Sequence, residues 1–556
     1  MRDPSVIVIA IVLAAIAVRA FIRSSGGLGV IRETAFAARN DRPRPMKEIG
    51  AYWRLSRDPG SGIDDRTWDD LDLDAVFASI DHTASAVGQQ QLFARLRDGG
   101  SGVVADLESL NATADHLAAH DDQRRVIARA LRRLDDVRAL GLTTLLFEDL
   151  PGRPAYWWLF PLLSIGAAVS LVAIDAHPRF FFVLLGIAIA NVGFGLALKG
   201  RIDPIASAFR MMAELIRAAR LLSTLRCDEL DDHLTVIREN LDAVRPLNLA
   251  TGWLAFEPGQ ANELVSTLYE YVNLLLGLNL NAFAFAIEGV RARRVELRAI
   301  YESVGAIDVA LSLSRWRSSL GAWVRPEFTE RRKAFEIRGL VHPLVPGAVA
   351  NALVVDGHSI LVTGSNMSGK TTFIRAVAIN AILAQSLDTA LATQWRSPCL
   401  NIRSSIGRSD DVLSGKSYYL AEVESIGRLV ATARDGVQHL YVIDEIFRGT
   451  NTTERVAGGR AVLAWLDQSD NIVLVATHDL ELLGLLEGRY EPFHFREQVA
   501  GEELLFDYTI RPGISSTRNA IALLRLMRFP EALVQDAMET AGRIDRTPPS
   551  LARQSP

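Results

Sequence analysis

Cysteine is almost missing. The 556 residues include two, Cys227 and Cys399, far apart and outside any Cys-x-x-Cys or Cys/His grouping. That excludes a disulfide framework, argues against a zinc site and suits a reducing cytoplasm. A positive excess is missing too: 60 Lys and Arg against 65 Asp and Glu leave a net charge of −5, so the whole chain carries no nucleic-acid footprint. Only a local basic face is compatible with such binding. Internal repeats are absent. Apolar residues are plentiful, at 49% with a mean hydropathy of +0.15, which points to globular sequence mixed with membrane spans. The length suits about three or four domains.

The first apolar run, Val6 to Val18, is extendable to Ile22. No small-x-small site ends it, and Arg19, Arg23 and Arg32 follow it. It is expected to be an uncleaved anchor over 1–23 with its C-terminal side in the cytoplasm. Tyr156 to Ile174 and Phe180 to Leu198 flank a polar "DAHPR" turn. Tyr156, Trp157 and Trp158 sit at one entrance and Lys199 and Arg201 at the exit, so residues 154–200 read as a transmembrane hairpin with both ends cytoplasmic. Leu264 to Ile287 contains Glu270, Asn273, Asn279 and Asn281, groups that are costly at bilayer depth. It is expected to be a buried helix pair, or at most re-entrant. About three spans result, in a multi-pass protein of the inner (cytoplasmic) membrane whose C-terminal half stays in the cytoplasm.

Elsewhere, 24–62 reads as a linker rich in Arg, Pro, Gly and Ser. Apolar spacings of three and four predict helices over 63–150 and again over 201–325. After Arg325-Pro326 the pattern becomes short apolar runs, "SILVTG", "HLYVIDE" and "NIVLVATH", alternating with helices. Such runs mark parallel strands with active groups at their C-terminal ends, here over 326–540. Residues 541–556 resemble a disordered tail.

"GSNMSGKT", Gly364 to Thr371, fits the phosphate-loop pattern between a strand and a helix. Its glycines free backbone N–H groups to wrap phosphate oxygens; Lys370 would reach the β- and γ-phosphates of ATP and Thr371 would ligate Mg²⁺. Asp444 ends the next apolar strand, suited to a second Mg²⁺ contact. Glu445 follows, where a carboxylate could activate water. His478 ends a third strand, placed to sense the γ-phosphate. A Gly/Ser turn, Ser414, Gly415, Lys416 and Ser417, opens a helix and forms a second anion nest. Two nests for one nucleotide suggest that the second completes a partner's site across a dimer.

These motifs together resemble the MutS family of ABC-type ATPases. "TGSNMSGKTT", "DDVLSGKSYYLAEV", "VIDEIFRGTNTTE" and "ATHDLEL" are similar to its four ATPase segments, and "HPL" at His342 with Asn351 to the lead-in. "LDLDAVFASIDHTASAVGQQQLFARLRDG" and "GAIDVALSLSRW" resemble the start and end of its helical core. The resemblance implies an α/β P-loop ATPase domain at the C-terminus, preceded by an all-α helical core that the transmembrane hairpin interrupts. It implies ATP held by Gly364, Ser365, Asn366, Met367, Ser368, Gly369, Lys370, Thr371 and Thr372, with Asn351 and an adenine-packing His494. It implies Mg²⁺ on Thr371 and Asp444, Glu445 as general base with His478 and Lys370, Ser414 to Ser417 acting in trans in a homodimer, and mismatched or branched DNA as a partner. Residues 1–62 precede the core and read as anchor and linker, so a variant without the N-terminal mismatch-recognition domain is expected. The alternative expectation is an ABC-type ATPase that drives a membrane process or transport. A scaffold that binds ATP without turnover fits poorly with both Asp444 and Glu445 present.

Overall fold

The computed structural model describes residues 44–57, 62–99, 105–150, 152–247, 263–407, 418–468, 470–500, 503–514 and 529–546. The anchor expected over 1–23 and the Ser414–Ser417 turn lie outside them, as do most of the linker and much of the tail. The chain divides into two compact units, one drawn from Met1–Pro59, Ile80–Arg95 and Ala105–Ser319, the other from Gly60–Ser79, Leu96–Val104 and Leu320–Pro556. The helical stretch expected over 63–150 is therefore shared between the two units.

The first unit is all helical among its described residues. Its principal helices are α1 (Ala86–Asp98, of which the first ten residues belong here), α2 (Ala105–Ala119), α3 (Leu159–Ala173), α4 (Arg179–Leu222), α5 (Glu263–Leu276), α6 (Leu278–Ala292) and α7 (Arg294–Ser319). Helix α7 buries Leu297, Ile300, Tyr301, Val304, Ile307 and Leu311, the three- and four-residue spacing of a core-facing helix. Its Asp308 is fully buried and accepts from Ala84 N (2.7 Å), Ser85 N (2.8 Å) and Ser85 Oγ (2.5 Å), so the carboxylate holds Ser85, whose Oγ caps the start of α1 by accepting from Gly88 N (3.0 Å). Gly88 permits this approach, since a Cβ there would stand 2.2 Å from Asp308 Oδ2. A second buried network joins Gln90 Oε1 to Tyr301 Oη (2.6 Å) and Thr143 Oγ1 (2.7 Å).

The apolar segment folds as α3 and the first half of α4. The pair leaves Leu162, Ile165, Val169, Phe182, Ile189 and Leu196 more than half exposed. Among the described helices one, Arg179–Gly200, is long and apolar enough to cross a membrane, and Tyr269–Leu276 with Leu278–Ala292 makes a second only if that bent pair counts as one span; α3, at 15 residues, is shorter. One boundary differs from expectation. α4 does not stop after Leu198 but runs on to Leu222, 44 residues in all, joining the apolar stretch to the amphipathic one. The stretch expected as a helix pair forms α5 and α6, bent by 72° at Gly277, which takes a left-handed φ of 55°. The break would strand carbonyls, and polar side chains meet them: Asn191 Nδ2 donates to Leu274 O and Leu275 O (3.0 Å each), and Ser164 Oγ donates to Leu276 O (2.5 Å). Asn281 Nδ2 in turn donates to Ser164 Oγ (2.9 Å), Asn273 Oδ1 accepts from Asn279 N (2.8 Å), and Tyr269 Oη donates to Asn279 Oδ1 (2.7 Å). The amides that argued against a third straight span hold the corner together.

The second unit holds ten described strands: β1 (Glu327–Phe328), β2 (Ala334–Leu340), β3 (Asn351–Asp356), β4 (Ser359–Thr363), β5 (Gln394–Ser397), β6 (Asn401–Ile406), β7 (His439–Asp444), β8 (Ile472–Ala476), β9 (Tyr490–Ala500) and β10 (Glu503–Pro512). A four-stranded sheet has the order β1-β5-β2-β3 and a six-stranded one β10-β9-β4-β8-β7-β6. In the latter, β9, β4, β8, β7 and β6 are parallel and β10 is antiparallel. Strands β4, β7 and β8 are buried at every residue, as continuous apolar runs covered on both faces should be. Helices α8 (Lys370–Leu387), α9 (Tyr418–Thr432) and α10 (Thr452–Leu466) connect them. The last helix, Glu531–Arg546, extends six residues into the expected tail.

Candidate active site

Parallel order brings the carboxyl ends of β4, β7 and β8 to one edge, the place where open α/β sheets bind ligands. Strand β4 runs into Gly364 (φ 138°), a short turn over Asn366–Ser368, Gly369 (φ 100°) and then α8. Both glycines take left-handed conformations that a side chain would strain. A Cβ on Gly364 would also come 2.8 Å from Ser368 Oγ, which is buried and donates to Ser365 O (2.8 Å). Phe373 and Phe495 meet edge to face at 5.9 Å, packing β9 against the first turn of α8.

Lys370 starts α8 and is almost wholly buried. Its Nζ donates to Gly364 O (2.6 Å) and Ser365 O (2.8 Å) and lies 3.3 Å from His478 Nε2. Burial pushes its pKa down to about 8, against the pull of Glu445 and Asp444. Thr371 Oγ1 donates to Asp444 Oδ2 (2.8 Å), so two hard oxygen donors from different elements stand side by side. That donor set fits Mg²⁺.

Glu445 takes a left-handed φ of 55°, uncommon for a residue with a Cβ, with its N–H fixed to Ala476 O (2.8 Å). Its Oε1 lies 3.0 Å from His478 Nε2 and its Oε2 lies 2.8 Å from Arg448 Nε. The hydrogen bond from His478 holds the carboxyl below the usual Glu range, overriding burial, with Arg448 and Lys370 adding to it. His478 Nε2 therefore stands between Glu445 and Lys370. It can donate to the first or accept from the second, but not both at once.

The remaining expected residues are distributed around this centre. Met367 is exposed, as is Thr372. Asn366 lies in the turn between the two glycines. His494 sits beside Thr363 in the β4–β9 register, half-buried, with Nδ1 3.0 Å from Gly513 O. Asn351 uses its amide to tie β3 to β10, donating to Tyr508 O (3.0 Å) and accepting from Ile510 N (2.8 Å).

Four contributors had no assigned role at the sequence level. Arg448 spans Glu445 and the Asp444 carbonyl (3.3 Å). Glu422 on α9 accepts from Arg448 N (3.2 Å); burial raises its carboxyl pKa while N–H groups of Arg448, Phe447 and Gly449 pull it down. The third is the pair Gly458 and Gly459 on α10, where added Cβ atoms would meet Phe447 at 3.2 Å and Ile446 at 3.0 Å. The fourth is Tyr508, whose Cδ1 would lie 3.2 Å from a Cβ on Gly369. The first two stand inside the quoted motif strings, which was the available signal. Nothing local marked the others.

This unit is similar in sequence to known proteins. Residues 360–545 match the family model of MutS domain V, from β4 to the last described helix. The chain is 29% identical over 320 residues to the DNA mismatch repair protein MutS of Methanosarcina acetivorans, covering 55% of this chain and 35% of that protein. It is 31% identical over 256 residues to MutS of Thermus aquaticus, covering 45% and 31%. It is 26% identical over 309 residues to the DNA mismatch repair protein MSH3 of Phaeosphaeria nodorum, covering 53% and 27%. The chain thus spans about a third of the length of the curated relatives it matches most extensively.

Proposed function

We propose that this chain is a membrane-held ATPase of the MutS family, which binds and hydrolyses Mg-ATP at composite sites of a homodimer and couples that cycle to DNA. The observation that carries the reading is the meeting of Lys370, the Thr371–Asp444 pair and the Glu445–His478 pair at the carboxyl ends of three parallel strands. The likeness to mismatch repair proteins supports the family and the DNA partner.

In this reading the loop glycines and the start of α8 receive the phosphates. Lys370 gives up its loop carbonyls for phosphate oxygens. Thr371 and Asp444 would hold Mg²⁺, whose role when bound is to offset charge on the β- and γ-phosphates. Glu445, ionised at neutral pH, takes the proton from the attacking water. His478 and Arg448 grip one carboxylate oxygen each and keep it aimed. His478 can then turn its Nε2 proton from Glu445 toward the departing phosphate. The Ser414–Ser417 turn would complete the partner protomer's site.

Membrane attachment rests on Arg179–Gly200, with a mean hydropathy of 2.3 and 17% of its most apolar window buried. A water-exposed helix of this composition would be a liability, and a bilayer accounts for it. The localisation proposed is the cytoplasmic membrane with the ATPase unit in the cytoplasm.

The test uses the full chain in detergent. Mg-ATP turnover, loss of turnover in Glu445→Gln and salt-dependent preference for heteroduplex over homoduplex DNA are expected. Absence of turnover removes the ATPase assignment. Turnover with equal or no binding to the two DNAs removes the repair coupling and leaves a membrane process as the recipient. Release of the chain from membranes by a carbonate wash removes the span.

A further inference from the structure

Two distant segments, one with His116 and the other with Cys227 and Glu229, bring an imidazole nitrogen, a thiol sulfur and a carboxylate oxygen together, all within 4.8 Å of one another. His116 lies in the last turn of α2, and Cys227 and Glu229 flank the start of the short turn Asp228–Leu230. Glu229 Oε2 stands 3.1 Å from His116 Nδ1 and 3.3 Å from Cys227 Sγ. The arrangement is fastened from behind. Thr113, one turn before His116 on the same face of α2, donates its hydroxyl to Glu229 O at 2.7 Å. Both Thr113 and Cys227 are buried, and the carboxylate faces solvent.

The far side of the imidazole is also held. His116 Nε2 lies 3.0 Å from Gln123 Oε1, and in the tautomer that donates there the Nδ1 lone pair faces the Glu229 carboxylate. In that tautomer a cation between Nδ1 and Oε2, 3.1 Å apart, would satisfy both, as a proton on Nδ1 does when no metal is bound. An outer amide or carboxylate fixing the tautomer of a ligating histidine is how metal-binding imidazoles are oriented. His120 stacks on the ring at 4.0 Å between centroids, with its Nδ1 2.8 Å from His116 O, which further fixes the plane. Tetrahedral zinc, with bonds of roughly 2.0–2.3 Å, places its ligand atoms about 3.4–3.6 Å apart. The separations of Glu229 from its two partners are close to that already.

We propose that His116, Cys227 and Glu229 form a metal site for zinc or a related borderline cation, with Gln123 as the residue that orients His116. Three protein ligands leave a fourth position, on the side of the solvent-facing carboxylate, for water. Sequence spacing argued against zinc because the ligands come from two distant segments and only the fold joins them. The site is independent of the ATPase reading: it lies in the helical unit and uses a sulfur and an imidazole, where the nucleotide site offers hard oxygens.

The experiment titrates the metal-stripped full chain, without nucleotide, with cobalt(II) and then zinc. One cobalt per chain is expected, with a thiolate-to-cobalt charge-transfer band and the ligand-field spectrum of a four-coordinate ion, displaced by one equivalent of zinc. Cys399→Ser should leave the signal intact and Cys227→Ser should abolish the charge-transfer band. His116→Asn should weaken zinc binding by more than the roughly 10–100-fold that loss of an outer partner brings, and Gln123→Ala by about tenfold. A natural chain that binds no cobalt, or shows only the six-coordinate spectrum of oxygen ligands, overturns the proposal without recourse to any variant. So does a charge-transfer band that survives Cys227→Ser.

Discussion

Raising the pH should release ATP from this site well before an ordinary lysine would lose its charge. Lys370 in the free protein has its pKa pushed down to about 8 by burial against the loop carbonyls. Phosphate oxygens favour the ammonium form, so the bound lysine has the higher pKa. Binding then takes up a proton, and affinity is retained below the free value and lost as pH rises through it. If the bound lysine stays charged to about pH 10 or beyond, a move from about pH 7.5 to about pH 9.5 lowers the charged fraction of free protein from about three quarters to about 3%. Affinity should fall roughly 25-fold, about 2 kcal/mol. Calorimetry with a non-hydrolysable ATP analogue, in buffers of different ionisation enthalpy, reads both quantities, and proton uptake should approach one per site at the upper pH. Lys370→Arg keeps its charge throughout and should flatten the profile, whatever it does to affinity. A flat profile in the natural chain, or no proton uptake, refutes the reasoning.

Glu445→Gln should lower turnover by about 10²–10⁴-fold while nucleotide still binds, and a nucleotide-bound dimer should accumulate on sizing columns. Turnover within a few-fold of the natural chain would mean another group takes the proton. Asp308→Asn turns an amide toward donors that now face a carboxylate, and should lower stability by about 2–4 kcal/mol, read from the urea midpoint. An unchanged midpoint would show that the α7 carboxylate does not hold the start of α1. Asn191→Leu leaves the Leu274 and Leu275 carbonyls without their side-chain donor, at about 1–3 kcal/mol each. The melting temperature in detergent should drop while that of Leu196→Val on the exposed face does not.

The candidate site was legible because its parts are local. A glycine loop, a strand-end Asp-Glu pair and a strand-end histidine each announce themselves in a few residues, and parallel pairing then brings them together. What the sequence concealed depends on contacts across long separations. Gly88 looks like an ordinary helical glycine until Asp308, some 220 positions later, presses against it. Gly458 and Gly459 weaken a helix until Ile446 and Phe447 are seen against them. The polar residues of Leu264 to Ile287 correctly argued against a straight span, but only the bend at Gly277 explains what they do instead. The expected end of the apolar hairpin at Leu198 followed hydropathy. Helical hydrogen bonding carries on regardless of which residues face water.

That uninterrupted helix has a consequence for how the chain can change. Along α4 each residue advances the winding by about 100° and 1.5 Å. Asn191 must face the Gly277 corner, while Phe209, Met212 and Leu215 must face the helical core. The two halves share one rotational phase. A single residue inserted near Gly200 would turn one face about 100° away from its partner. Seven residues, close to two whole turns, would nearly restore the phase and shift the halves by about 10 Å. The distance between the apolar stretch and the core is thus adjustable only in steps of whole helical turns, like the threads of a screw.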